Sequence, residues 1–86
     1  MAEDKKFAKQ IMGKTIVSKT GKKFGVVGDI VFEIRTGELI YLVLMEPTPY
    51  TSQLELERGK HGEYLVPFSS VMAIGDFVVV AEEDIV

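Results

Sequence analysis

The chain has 86 residues, 47% of them apolar, and no cysteine: room for one domain with a thin core, and no basis for a disulfide scaffold, Cys-ligated zinc or thiol catalysis. The formal net charge is −3 but unevenly spread, with seven lysines against Glu3 and Asp4 in residues 1–23, and three basic against eleven acidic residues in 24–86. No apolar run approaches the ~18 residues of a membrane span, and the charged start Met1-Ala2-Glu3-Asp4-Lys5-Lys6 lacks the apolar stretch of a secretory signal, so the sequence reads as cytoplasmic.

Residues 3–12 carry a weak helical period, with Phe7 and Ile11 four apart and Ala8 and Met12 beside them. The segment is too short to be a stable helix alone, which predicts either a turn or two of helix folded onto the barrel or a frayed arm over residues 1–12, beside a domain over 13–86. From Lys14 the pattern becomes extended. Thr15-Ile16-Val17 is a β-branched run, and Lys19-Thr20-Gly21-Lys22 is a turn in which Gly21 supplies positive φ. Phe24 to Ile34 reads as a strand interrupted by Gly25 and Gly28, as expected of a bulge or tight bend. Arg35-Thr36-Gly37-Glu38 is a hairpin turn, and Leu39 to Met45 is apolar enough for a strand buried on both faces, or on one face plus an interface.

Pro47 and Pro49 end that strand. Residues 46–62 are the one long connection, in which Leu54-Glu55-Leu56-Glu57 alternates and Arg58 to Gly62 forms a loop, either an edge hairpin with Tyr64-Leu65-Val66 or a mobile loop. Met72–Ile74 and Phe77–Ala81 are the last strands, joined by a Gly75-Asp76 turn, before a solvated acidic tail, Glu82-Glu83-Asp84. Five to six short strands with glycine-containing turns and little helix predict an all-β fold, a small antiparallel barrel.

From Gly13 to Val80 the order of motifs resembles the PRC-barrel domain family. Gly13-Lys14 enters the first strand, and Gly21 makes the first turn. Gly25-Val26-Val27-Gly28-Asp29-Ile30-Val31-Phe32 follows in slightly shifted order, then Thr36-Gly37-Glu38-Leu39, Pro67-Phe68-Ser69-Ser70-Val71 and the Gly75-Asp76 turn. Each motif is weak alone, and their order and spacing carry the likeness. That family includes the cytoplasmic domain of the photosynthetic reaction-centre H subunit, the C-terminal domain of the ribosome-maturation factor RimM, and free-standing archaeal proteins of about this length, some of them division-scaffold components that bind the protein SepF. The chain is most similar to the archaeal group. The resemblance implies a non-enzymatic adaptor with no cofactor or small-molecule substrate, acting on a protein partner, a SepF-like division protein among the candidates; separately, surplus apolar surface on so small a domain points to a homodimer, through a strand edge or through the outer face of the Leu39 to Met45 strand. RNA processing in the manner of RimM is the rival.

The residues themselves offer little chemistry. Ala8 to Thr15 matches a loosened phosphate-binding loop, but a strand-like run follows where a helix is required. His61 is the single histidine, flanked by no evident nucleophile and too isolated for a metal site. Asp29 and Asp76 suit bends, where carboxylates cap backbone amides, and Pro67 closes its strand. The lysines near Phe7 and Phe24 could meet phosphates, yet a dedicated nucleic-acid binder is strongly basic and this chain is acidic. The interface candidates are Phe7, Ile11, Met12, Leu42, Leu44, Met45, Tyr50, Leu54 and Leu56, with core packing the competing use of each. Either Leu42 with Leu44 or Val43 with Met45 faces outward, because neighbours on a strand point to opposite sides.

Overall fold

Extended segments form where β-branched and aromatic residues cluster between glycine-containing turns. The computed structural model describes residues 8–85. Among them lie seven strands: β1 Thr15–Ser18, β2 Lys23–Phe32, β3 Leu39–Met45, β4 Glu57–Arg58, β5 Tyr64–Pro67, β6 Val71–Ile74 and β7 Phe77–Val80. They make one sheet in the order β4-β5-β3-β2-β1-β7-β6.

Three features differ from the expectation of a five- to six-stranded antiparallel barrel. The seventh strand is β4, only two residues long and paired antiparallel with β5, within the segment whose form the sequence left open. The alternating Leu54 to Glu57 run supplies only its first residue. Second, β1 and β7 are parallel, Thr15 beside Phe77 through Ser18 beside Val80. A tight hairpin enforces antiparallel pairing only on chain neighbours, and β7 returns to β1 from far along the chain. Third, the hydrogen-bonded order runs from edge β4 to edge β6 without rejoining.

The sheet still encloses one core, because bulges bend it. Val27 lies beside Leu44 and Asp29 beside Val43, which leaves Gly28 as the extra residue. This resets the two-residue alternation, so Val27 and Ile30, three apart, both pack inward. A second irregularity leaves Phe24 unmatched between Lys23 and Gly25, and its ring is fully buried. The core joins Ile11, Ile16, Phe24, Val27, Leu42, Leu44, Leu56, Val66, Val78 and Val80. Ile11 reaches it from a helical turn over residues 8–11. Phe7 lies outside the described residues.

Glu46, with φ 52°, turns the chain out of β3 into Pro47. The short helix Pro49–Ser52 then folds back over the start of β2. Thr51 is fully buried there, and its hydroxyl donates to the Phe24 carbonyl at 2.5 Å. Thr48 donates its hydroxyl to the Lys23 carbonyl at 2.5 Å and its amide to that of Phe24 at 3.0 Å. The irregular start of β2 is thus hydrogen-bonded rather than left bare.

Candidate interaction surface

One face of the sheet covers the core, and alternation assigns the other face residue by residue. Its central row is Phe77 on β7, Thr15 on β1, Val26 on β2 and Met45 on β3. The row on one side is Val79, Val17 and Lys23. The row on the other is Asp29, Val43, Leu65 and Glu57. Val17, Val26, Val43, Leu65 and Val79 are half-buried, while Met45 and Phe77 are 55% and 49% exposed. The result is an apolar field with a lysine at one border and two carboxylates at the other.

Glycines let β2 and β3 approach closely beneath it. A Cβ on Gly25 would stand 2.6 Å from the Met45 carbonyl oxygen, and one on Gly28 would run into the Cγ and sulfur of Met45. The Met45 side chain therefore lies across the bare backbone of the Gly28 bulge. A thioether is polarizable and unbranched, which suits a surface that must adapt to a partner.

The interface candidates divide. Ile11, Leu42, Leu44 and Leu56 are core residues rather than surface residues, because their strand or turn positions point them inward. Tyr50 and Leu54 are half-buried and pack against that core. Met12 and Met45 are exposed, and of β3's two pairs it is Val43 with Met45 that faces outward. Val26, Leu65 and Phe77 were not among the candidates. The alternation on β3 and β5 could have flagged Leu65, whereas the Gly28 bulge hides the parity of β2.

The turn residues occupy varied roles. Gly21 and Gly37 have φ of 93° and 75°, and their amides donate to Ser18 and Glu33 carbonyls at 2.9 and 2.8 Å. Asp29 lies within β2, where its Oδ1 accepts the Ile30 amide at 2.8 Å. Pro67 ends β5 before the 3₁₀ turn Phe68–Ser70, and Gly75 with Asp76 makes the β6–β7 turn.

The acidic tail Glu82–Asp84 is solvent-exposed at Glu83 and Asp84, as expected, but it is also a 3₁₀ turn that clamps the β1–β2 turn. Glu82 accepts from the Tyr50 hydroxyl and, at 3.0 Å, from the Thr20 hydroxyl, while Lys19 pairs with Glu83 at 2.5 Å. The Tyr50 bond holds the Glu82 carboxyl below its usual range and pushes the phenol up; the Lys19 bond does the same to Glu83 and raises the amine. At the sheet's other end, the Tyr41 hydroxyl donates to Glu57 at 2.9 Å, which raises the phenol. Lys22 stacks over the Tyr50 ring at 4.9 Å and Lys14 bonds the Gly75 carbonyl, so three of the lysines near the N-terminus make contacts within the chain.

No reactive constellation forms among the described residues. The segment resembling a phosphate loop is a helical turn followed by β1, the reverse of the required order. His61 is exposed, with its backbone amide donating to Glu63 at 2.9 Å. Among the described residues no cluster of three His, Cys, Asp or Glu is placed to hold a metal, and no helix is long and apolar enough to cross a membrane.

Comparison with known proteins fits this picture of a β-sheet platform. A sequence model of the PRC-barrel domain matches residues 3–84. The chain is also 35% identical over 78 residues to an uncharacterized protein of Methanocaldococcus jannaschii, an alignment covering 91% of this chain and 83% of the relative.

Proposed function

The chain belongs to the PRC-barrel domain family, and we propose on that footing that it is a non-enzymatic protein–protein interaction adaptor. In this reading it acts in the cytoplasm as a homodimer, within a cell-division or membrane-proximal scaffold, and offers the barrel surface and loops that the dimer leaves free to a second protein such as a SepF-like division protein. The observation that carries the reading is the outer face of β1, β2, β3, β5 and β7. It sets Val26, Val43, Met45, Leu65 and Phe77 together on the side the core does not use. Contiguous apolar surface of this kind marks contact with another macromolecule more often than chance exposure. Apolar anchors inside a charged rim give modest affinity that a two-fold assembly raises through avidity.

The test is purification of the tagged protein from its native cell, with and without RNase and at two salt concentrations, alongside Met45→Glu. Division-scaffold proteins retained through RNase and salt by wild type, and held more weakly by Met45→Glu once two-fold avidity is lost, are the expected result. Ribosomal proteins or rRNA that vanish on RNase or salt treatment would replace the adaptor reading with ribosome maturation, since phosphate contacts weaken steeply with salt.

A further inference from the structure

The outer face is arranged for a second copy of itself. On β2, Lys23, Val26 and Asp29 all point outward: they stand beside outward-facing Val17, Thr15 and Val43 respectively, and Lys23 and Asp29 are exposed. Lys23 is three residues before Val26 and Asp29 three after it, so the two charges sit at similar distances, roughly 10 Å, on either side. A two-fold axis lying between two stacked sheets, perpendicular to β2 and passing over Val26, reverses the strand in the partner. It therefore sets Lys23 of each protomer against the partner's Asp29, twice, with the apolar row Phe77, Val26 and Met45 between them. An axis parallel to the strands would instead bring like charges into the same border rows.

We propose that this face is a homodimer interface, two outer sheets stacked about a two-fold axis over Val26, with Met45 and Phe77 at its centre and reciprocal Lys23–Asp29 pairs at its borders. The proposal rests on the homodimer part of the reading above and gives it a surface and a register. Such a contact is isologous, so it closes at two copies. Stacked sheets lie ~10 Å apart, a gap that a lysine and an aspartate reaching toward one another across the border can span. The Ile30 amide holds one oxygen of Asp29, which fixes the carboxylate and leaves its other oxygen to accept. Five strands ~4.8 Å apart and about 23 Å of strand length give roughly 550 Å² per partner, or about 1,100 Å² in all. That lies below the standard interface of ~1,600 Å², so the dimer is a weak one, with a dissociation constant of about micromolar or higher.

Sedimentation velocity across a concentration series of the full chain tests this, with circular dichroism melts confirming that every variant folds. Wild type is expected to pass from monomer to dimer as concentration rises. Lys23→Glu and Asp29→Lys, each placing like charges together, are expected to weaken association at least tenfold. Lys23→Glu combined with Asp29→Lys restores it, and Met45→Glu abolishes it. A wild type that stays monomeric throughout overturns both this interface and the homodimer reading, and leaves the face to a different protein. A dimer indifferent to Met45→Glu overturns the interface while the homodimer reading survives. A dimer broken by both single charge variants but not rescued by their combination overturns the register.

Discussion

Leu42 and Leu44 are almost wholly buried, whereas Met45 is more than half exposed and Val43 is half-buried, although all four are apolar and nearly adjacent on β3. What separates them is only the pleat, which sends neighbours to opposite sides of the sheet. The inner pair meets Val27, Val66 and the rest of the core. The outer pair meets Val26 and Leu65 and then ends in open surface. Hydrophobicity alone therefore does not say whether a residue holds the fold together or serves a partner. Parity along the strand does, once the bulges are known.

The comparison is broken most severely from the inside. Leu42→Ala removes a fully buried side chain from a thin core and is expected to cost about 2–5 kcal/mol, a large share of the stability of so small a domain. Urea unfolding should show it as a lower midpoint at unchanged slope. Ile11→Ala belongs in the same class, because Ile11 is equally buried; removal of residues 1–12 should likewise lower or abolish the cooperative melt.

Next in size is Gly25→Ala. The new methyl meets the Met45 carbonyl oxygen and Leu44, so β2 and β3 must separate, at about 1–3 kcal/mol. A drop in melting temperature well beyond that of an alanine placed at exposed Gly75 checks the cause.

The polar clamp at the chain's end contributes less, and its signature is in pH. Glu82 and Glu83 titrate below their ordinary value of 4.5 when folded, so their contribution is present above that value and is lost as pH falls through the lowered ones. Tyr50 and Lys19 are raised above 10.0 and 10.5, so their contribution is complete below those values and is lost as pH rises through the raised ones. Tyr50→Phe deletes the bond to Glu82 and should flatten the acid limb of a melting-temperature profile between pH 3 and 7; an unchanged limb would show that the clamp does not stabilise the fold. Smallest of all for folding is Met45→Glu, expected to leave stability within about 0.5 kcal/mol because it lies on the exposed side. A small cost in melting beside a complete loss of association separates the two faces of β3 most sharply.

Much of the fold was legible in the residues. Turn glycines, prolines and β-branched runs marked out β3 over its full length and most of β2 and β7, because strand boundaries written in Gly and Pro are local chemistry. The parallel pairing of β1 with β7 was not legible, since it joins segments about sixty residues apart by their apolar faces and no local signal encodes it. The two-residue β4 is too short to carry a period. The clamp was also hidden: Glu82 and Glu83 read as a wet tail until Tyr50 and Lys19 are brought beside them. For the surface, Met45 was visible as one of two alternatives on β3, but Val26 and Phe77 were not: the bulges at Phe24 and Gly28 shift the alternation along β2, and β7 is apolar at every position, so its sequence does not say which face Phe77 takes.

The most direct measurement uses the methionines as probes. With methyl-labelled methionine, NMR spectra recorded from ~10 µM to ~1 mM compare Met45 at the centre of the outer face with Met72, which is similarly exposed but sits on edge strand β6, three strand spacings or roughly 14 Å from β2. The Met45 methyl is expected to shift with concentration while Met72 holds nearly still, and Met45→Glu should freeze the remaining spectrum at its dilute form. Equal shifts at both methionines, or none at either, would contradict the claim that the outer face of β2 and β3 is where this protein meets its partner copy.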